Sequence, residues 1–351
     1  MPGERKSSPA CDPLPQNVEE LLGRFVAANP QYSLDPVQPT CRGSTNHLMF
    51  GRCARRRVVF KCFWSPDRWR NELYFLRLLG PTGLVPKVMA TTDQKLIVMH
   101  RLPGTYVSDC TRTLADRPEA IDRLSREVGQ ALGRITQVPL TEDPQGYHPA
   151  RCFVAIPWGQ DLRAVVMEYV RRCRRVQQVV PHYALPLADQ SLSLVESSAA
   201  RVGAEPQIVF HEDVGNMHAV RGHFRGFFDL EMARNGTESM QIGVALCYCG
   251  RGRLNRQPLF SGYQSQVGRH PDALSALAMN HLYHWIRACR WGRIGGDNDD
   301  PADVQASVRD AKVHLGGMAQ ACRLLWDEPS VRPWFAQEAV AQALSASPEH
   351  H

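Results

Sequence analysis

Phe210-His211-Glu212-Asp213-Val214-Gly215-Asn216-Met217, followed by Gly226-Phe227-Phe228-Asp229-Leu230-Glu231, decides how the chain is read. A His, an Asp and an Asn crowd one loop, and a second Asp closes an apolar run. Val209-Phe210 and Phe227-Phe228 read as short buried strands, which would fix both carboxylates on rigid supports. Phosphoryl transfer from ATP needs such a set. One carboxylate orients or deprotonates the attacking hydroxyl, and an Asn oxygen with another carboxylate holds magnesium. Taken alone, the stretch divides evenly between that reading and a polar surface turn.

Upstream, residues 37–64 carry strand signals. Cys41-Arg42-Gly43-Ser44-Thr45-Asn46 is a turn-rich loop, and Gly51-Arg52-Cys53-Ala54-Arg55 is expected to turn a hairpin. A flexible loop between strands can lie over phosphates, its backbone N–H groups donating to the oxygens. No Gly-Lys-Ser/Thr follows, so it is not a Walker A loop. Lys61 sits mid-strand in a chain with only five Lys. An ammonium buried there needs a partner. The competing reading is an edge-strand Lys facing solvent. The next helix, 68–79, presents Glu72 beside its apolar stripe, and a strand Lys followed closely by a helix Glu is the kinase ion pair. Replacing Lys61 is then expected to damage turnover far more than stability.

Two more strands, 86–90 and 95–99, lead to Met99-His100-Arg101-Leu102 and the Pro103-Gly104 turn, where a lobe boundary is expected. Beyond it apolar spacing predicts helices over 117–138, 161–180, 188–202, 273–290 and 303–326. Another helix, 17–28, precedes the first strands. Arg171, Arg174 and Arg175 share one helix side, more in keeping with a solvated face than an anion site. Asp297, Asn298, Asp299 and Asp300 fit a helix-capping loop better than calcium, because the EF-hand spacing is absent.

The order of these elements resembles the aminoglycoside phosphotransferases, part of the protein-kinase-like fold, over roughly residues 35–245. Gly43-Ser44-Thr45-Asn46 resembles their Gly-x-x-Asn nucleotide loop. Residues 99–104 resemble Met-Glu-x-Leu-Pro-Gly, with His100 in place of Glu. His211-Glu212-Asp213 with Asn216 resembles His-x-Asp-(x)4-Asn, two residues short. Asp229-Leu230-Glu231-Met232-Ala233 resembles the Asp-x-Glu-x-Ala continuation. The resemblance implies an α+β, two-lobed kinase-like fold: a tail (1–15), a small antiparallel N-lobe (16–102) and a mainly helical C-lobe (103–345). It implies ATP, with GTP as the alternative, and Mg²⁺. Gly43, Ser44, Asn46, Lys61, Glu72 and the linker Met99, His100, Arg101 and Leu102 would hold the nucleotide, whose adenine edge backbone groups of the linker can meet. Asp213 would be the catalytic base, His211 would support its loop, and Asn216 and Asp229 would bind metal. Gly215 could close the shortened loop by taking φ > 0. The implied acceptor is a small hydroxylated molecule such as an antibiotic, sugar or metabolite; a pseudokinase scaffold or an atypical protein kinase are the other readings.

Composition sets the outer bounds. At 351 residues, 43% hydrophobic and 22% charged, the chain has the make-up of a globular protein with room for two cores. No 18-residue apolar run exists and residues 1–15 lack a signal-peptide core, so a cytoplasmic protein without a membrane span is expected. The net charge of +6, nearly all from Arg, comes without a basic tract interleaved with aromatics, which argues against nucleic acid. It also argues mildly against a polycationic acceptor. Eleven Cys without a repeating spacing read as reduced, buried thiols. Cys247 and Cys249 are the only close pair, and no Cys/His set stands at zinc-finger spacing.

Overall fold

The computed structural model describes residues 16–35, 41–42, 46–92, 95–142, 146–147, 149, 184–252, 254–268, 272–291, 313–314, 316–325, 329, 331–334, 337, 340–341 and 345. The chain divides into two compact units, Met1–Pro103 with Gly226–Met232, and Gly104–Arg225 with Ala233–His351. The segment carrying Asp229 thus belongs with the first unit, although it follows the Asp213 loop in sequence.

The first unit contains α1 (Gln16–Ala28), β1 (Tyr32–Leu34), β2 (Cys41–Arg42), β3 (Asn46–Cys53), β4 (Arg56–Phe63), α2 (Pro66–Leu79), β5 (Val88–Thr92) and β6 (Leu96–His100). The strands form one antiparallel sheet in the order β1-β3-β4-β6-β5, with β2 beside β3. Strand alternation then sorts the faces. Val58, Phe60 and Cys62 of β4 join Leu96 and Val98 of β6, meeting Val18, Leu22 and Phe25 of α1 and Tyr32 in a core. Each such fully buried side chain contributes roughly 1.5–3 kcal/mol. Lys61 alternates to the opposite face. The β3–β4 turn is tighter than the sequence suggested: Gly51, Arg52 and Cys53 stay in β3, and only Ala54 (φ 52°) and Arg55 turn the chain. Gly51 is needed within the strand, since a Cβ there would collide with the Ser33 carbonyl of β1.

Ser65 caps α2 from an extended conformation, its Oγ accepting from the Arg68 N–H at 3.5 Å, and Pro66 opens the helix where no N–H is missed. Leu73, Phe75, Leu76 and Leu79 bury one side, and Trp69 donates its indole N–H to the Leu96 carbonyl at 3.1 Å. This ties α2 to β6 and aims Glu72 at the sheet.

The second unit holds β7 (Thr105–Tyr106), α3 (Val107–Thr113), α4 (Pro118–Thr136), α5 (Ala184–Ala204), β8 (Ile208–Phe210), β9 (Met217–Val220), the start of β10 (His223–Phe227, whose last two residues belong to the first unit), β11 (Arg234–Gly236), α6 (Glu238–Gly252), α7 (Arg256–Val267) and α8 (Ala273–Trp291). Expected helices at 117–138, 188–202 and 273–290 correspond to α4, α5 and α8. The expected helix 161–180 with Arg171, Arg174 and Arg175, the loop with Asp297, Asn298, Asp299 and Asp300, and Gly43 and Ser44 lie outside the described residues. Of the helix expected at 303–326, residues 313–314 and 316–324 are described and helical. Gly129 and Gly262 let α4 and α7 touch backbone to backbone; a Cβ on either would strike a carbonyl of the other helix. Two short ladders, β10-β9-β7 and β11-β8, flank the Asp213 loop. Arg221 (φ 51°) and Gly222 (φ 78°) supply the left-handed pair that a tight β9–β10 hairpin needs. Among the described residues no helix is long and apolar enough to cross a membrane.

Candidate active site

In the first unit the site is built on Lys61. It lies in the middle of β4, opposite Leu48 of β3 and Ile97 of β6, and is 4% exposed. β4 is an interior strand, which removes the edge-strand reading. The ammonium is 2.5 Å from Glu72 Oε2, bonded to Asp229 Oδ1, and 3.6 Å from Glu231 Oε2. Its stem shares a face with Phe63, whose ring centre is 5.1 Å from Nζ. Burial works against the charge, but Glu72, then Asp229 and Glu231, outweigh it and push the lysine pKa up. Glu72 is fully buried, and burial raises its carboxyl to about 7 against the pull of Lys61.

Sequence reading quoted Glu231 but gave it no role. Its carboxylate accepts from Arg68 Nη1 at 2.9 Å and from the Asn46 amide, and its backbone carbonyl accepts from Asn71 Nδ2 at 2.9 Å. Two residues of α2 and one of β3 thereby clamp the 3₁₀ turn Leu230–Met232 that follows Asp229. Asn46, expected on a phosphate loop, lies in β3 with its side-chain amide on this carboxylate. The signal for Glu231 was its i+2 spacing from Asp229; which polar groups would gather on it was set by β3 and α2, far away in sequence.

Asp229 itself has φ 61°, rare for a residue with a side chain and costing of order 1–3 kcal/mol. The Lys61 bond and the clamped turn hold it there. β10 ends at Phe227, so Phe228 is outside the strand expected for it. Phe227 donates its N–H to the Leu84 carbonyl at 2.8 Å. The Asp229 side chain is 37% exposed, unlike the 1% of Glu72 and 6% of Glu231. Oxygens of Glu72, Asp229 and Glu231 lie within 4.8 Å of one another. Hard oxygen donors of this kind suit Mg²⁺, and Asp229 is the one open to it.

The linker departs from expectation in its donors. The His100 N–H goes to the Lys87 carbonyl at 2.9 Å and the Arg101 N–H to the Arg57 carbonyl at 3.1 Å. Both extend the sheet, so neither donor is left for an adenine edge. Burial, then Arg56 and Lys87, lower the His100 pKa and hold the ring neutral. Met99 is buried in β6, and the Arg101 guanidinium stacks 4.3 Å over Phe50. Leu102 packs at Gly226.

In the second unit the site is the loop after β8. β8 is buried throughout and pairs with β11, Phe210 facing Arg234. His211 is buried, its N–H donating to Gln241 Oε1 at 3.0 Å. Glu212 pairs with Arg234 at 3.0 Å. Asp213 accepts the Tyr248 hydroxyl on Oδ1 and the Asn216 amide on Oδ2, the latter at 2.8 Å. The backbone closes as a turn, Asn216 N–H to Asp213 C=O at 3.1 Å and Met217 N–H to Gly215 C=O at 3.0 Å. Gly215 does not take the left-handed conformation expected of it. It is required for another reason: a Cβ there would sit 2.5 Å from Cε1 of Tyr248. Gln241, Tyr248 and Arg234 were not foreseen; no local spacing announces them, since Arg234 arrives from β11 and Gln241 and Tyr248 from α6, both downstream of the loop.

Asp213 thus presents a carboxylate held on both oxygens, by the Tyr248 hydroxyl and the Asn216 amide, on a partly exposed loop. Asn216 spends its NH₂ on Asp213, which turns its Oδ1, the atom a cation would use, away from that carboxylate.

The family described as "Phosphotransferase enzyme family" matches residues 54–277. No curated protein matches the sequence significantly. Solved structures do. The gentamicin complex of APH(2")-IIa aligns at a TM-score of 0.54 and 11% identity, covering 86% of this chain and 96% of that one. ADP-bound aminoglycoside phosphotransferase APH(2'')-Ib aligns at 0.51 and 12%, covering 85% and 99%. A choline/ethanolamine kinase family protein from Mesorhizobium loti aligns at 0.54 and 15%, covering 93% and 99%. At these identities the likeness establishes the fold, the two-lobed, α+β kinase-like one.

Proposed function

The chain belongs to the phosphotransferase enzyme family, and from that premise we propose that it moves the γ-phosphoryl group of ATP to a hydroxyl of a small molecule. The buried Lys61–Glu72 pair with Asp229 on the same ammonium carries the reading. A lysine fixed by a helix carboxylate is a positive post for nucleotide phosphates, and the fold-mate APH(2'')-Ib was solved with ADP. Lys61 binds phosphate oxygens; Glu72 aims it. Asp229, at its forced φ and partly exposed, would hold Mg²⁺ with the Asn216 oxygen as neutral second donor. When bound, that cation neutralises charge on the phosphates during transfer.

Asp213 receives or orients the acceptor hydroxyl. Tyr248 and Asn216 fix its plane, so the carboxylate does not have to be ordered at the moment of reaction. His211 acts by holding the loop, not by moving protons: its side chain is buried and its backbone N–H is bonded to Gln241. The acceptor is a small hydroxylated compound, of the antibiotic or amino-alcohol type named for the fold relatives.

The test is a screen of aminoglycosides, amino alcohols and sugars for Mg²⁺-dependent ATP consumption, run beside Asp229→Ala. Turnover with one compound class, and loss of magnesium-dependent nucleotide binding in the variant, are expected. Nucleotide binding without turnover across the screen sinks the enzyme reading in favour of a pseudokinase.

A further inference from the structure

Away from the Asp213 loop, the helices of the second unit bury two clusters of His and Cys. In one, His281 of α8 has a separate partner on each ring nitrogen. Ser191 Oγ of α5 is 2.7 Å from Nδ1, and Cys322 Sγ is 3.4 Å from Nε2. Neutral imidazole has one N–H and one lone pair, so this arrangement satisfies both nitrogens by hydrogen bonding alone.

The other cluster is different in kind. Cys247 of α6, His284 of α8 and His314 are all buried. Cys247 Sγ lies 3.5 Å from His284 Nδ1, and His314 Nδ1 lies 2.9 Å from the same atom. One imidazole nitrogen offers one lone pair or one proton, but here a thiol and a second imidazole converge on it. A cation at the centre accepts a pair from all three. The candidate donor atoms lie within 4.8 Å of one another. With Zn–S near 2.3 Å and Zn–N near 2.05 Å, a tetrahedral S···N edge is about 3.5 Å, the separation found here. The N···N edge would be about 3.3 Å, so the two rings part by a few tenths of an ångström on binding. Gly317 makes room: a Cβ at that position would collide with the His284 ring.

We propose that Cys247, His284 and His314 bind one divalent cation of zinc type, with a non-protein fourth ligand. Cys247 binds as thiolate, its proton leaving to solvent, and both imidazoles bind neutral through Nδ1. Sulfur and imidazole donors select against Mg²⁺, so this site is chemically distinct from the one at Asp229. Its consequence is structural: the cation ties α6, α8 and the helical segment containing His314.

The experiment uses the full chain, purified without chelator, with metal counted by elemental mass spectrometry. About one equivalent of zinc per chain is expected. After chelation, Co²⁺ should enter and give a thiolate-to-cobalt absorption band. Cys247→Ala should abolish that band and lower retained zinc at least tenfold, while Cys322→Ala keeps both. If Cys247→Ala does not fold, X-ray absorption of the zinc-loaded wild type decides, one sulfur and two imidazoles being required. Folded protein that retains no zinc or cobalt after incubation and buffer exchange, or a cobalt band unchanged in folded Cys247→Ala, overturns the proposal and leaves a hydrogen-bonded core cluster.

Discussion

Lys61 and Asp213 are the charged centres of the two units, and they are held by opposite means. Lys61 is 4% exposed and lies among Glu72, Asp229 and Glu231, the last two far away in sequence. Asp213 stands on a partly exposed turn, fixed by Asn216 from its own loop and by the Tyr248 phenol. The first arrangement balances buried charge with buried charge, so removing one member exposes the others to the low-dielectric interior. The second fixes one carboxylate with neutral donors and can lose its charge without unbalancing a core. On the roles proposed above, stability and chemistry are joined at Lys61 and separable at Asp213.

Breaking the first centre gives the largest effect. Lys61→Ala leaves Glu72 and Glu231 without their ammonium and should cost about 3–5 kcal/mol of stability in denaturant melts, along with turnover. This revises the expectation from sequence that turnover would suffer far more than stability, because the Asp229 and Glu231 carboxylates on the same ammonium were not visible there. Adding Glu72→Gln should restore part of the stability and none of the activity; a Lys61→Ala protein as stable as wild type contradicts the charge-balance account.

Asp213→Asn should separate the two quantities. The rate is expected to fall by ~10²–10⁴-fold while nucleotide affinity and the melting temperature stay near wild type. An intact rate would remove Asp213 from the chemistry. A smaller effect is expected from Tyr248→Phe, which deletes one bond to the Asp213 carboxylate and keeps the ring packed on Gly215. A drop of about tenfold in kcat, equivalent to about 1.4 kcal/mol, with KM for nucleotide unchanged would show that the phenol positions the carboxylate. Equal kcat values would assign Tyr248 to packing alone.

The pH response sharpens the contrast, since the two units differ in sign. Burial raises Glu72 to about 7 from 4.5, so its contribution to stability is present below pH 4.5 and is lost as pH rises to 7. Burial lowers His281 to about 3 from 6.5, so its contribution is present above pH 6.5 and is lost as pH falls toward 3. The slope for each is at most about 1.4 kcal/mol per pH unit. Hydrogen exchange followed between pH 4.5 and 6.5 should show α8 loosening toward the acid end while β4 does not. His281→Gln should flatten the α8 response; an unchanged slope in that variant refutes the assignment.

The order of elements along the chain was enough to find the fold. The placement of Lys61 in a strand and of Glu72 on a helix followed from local periodicity, and their pairing was what the kinase pattern implied. The Asp213 loop was legible in residue type but not in conformation. Gly215 looked like a chain-reversing glycine and is in fact a space for the Tyr248 ring, a contact made by a helix that begins 25 residues after Asp213. The use of the linker's His100 and Arg101 N–H groups was not legible, because it depended on Lys87 and Arg57 lying alongside.

Sequence by itself placed most of the strands and helices and carried the family resemblance, because periodicity and residue type are local. Tertiary structure alone decided who surrounds them. Glu231 became a hub because β3 and α2 bring Asn46, Arg68 and Asn71 to it. Asp229 could take φ 61° because Lys61 holds its carboxylate. The eleven cysteines showed no metal spacing, yet Cys247 meets His284 and His314 where helices cross. Contacts between residues far apart in sequence are fixed by which surfaces pack together, and no window of neighbouring residues contains that information.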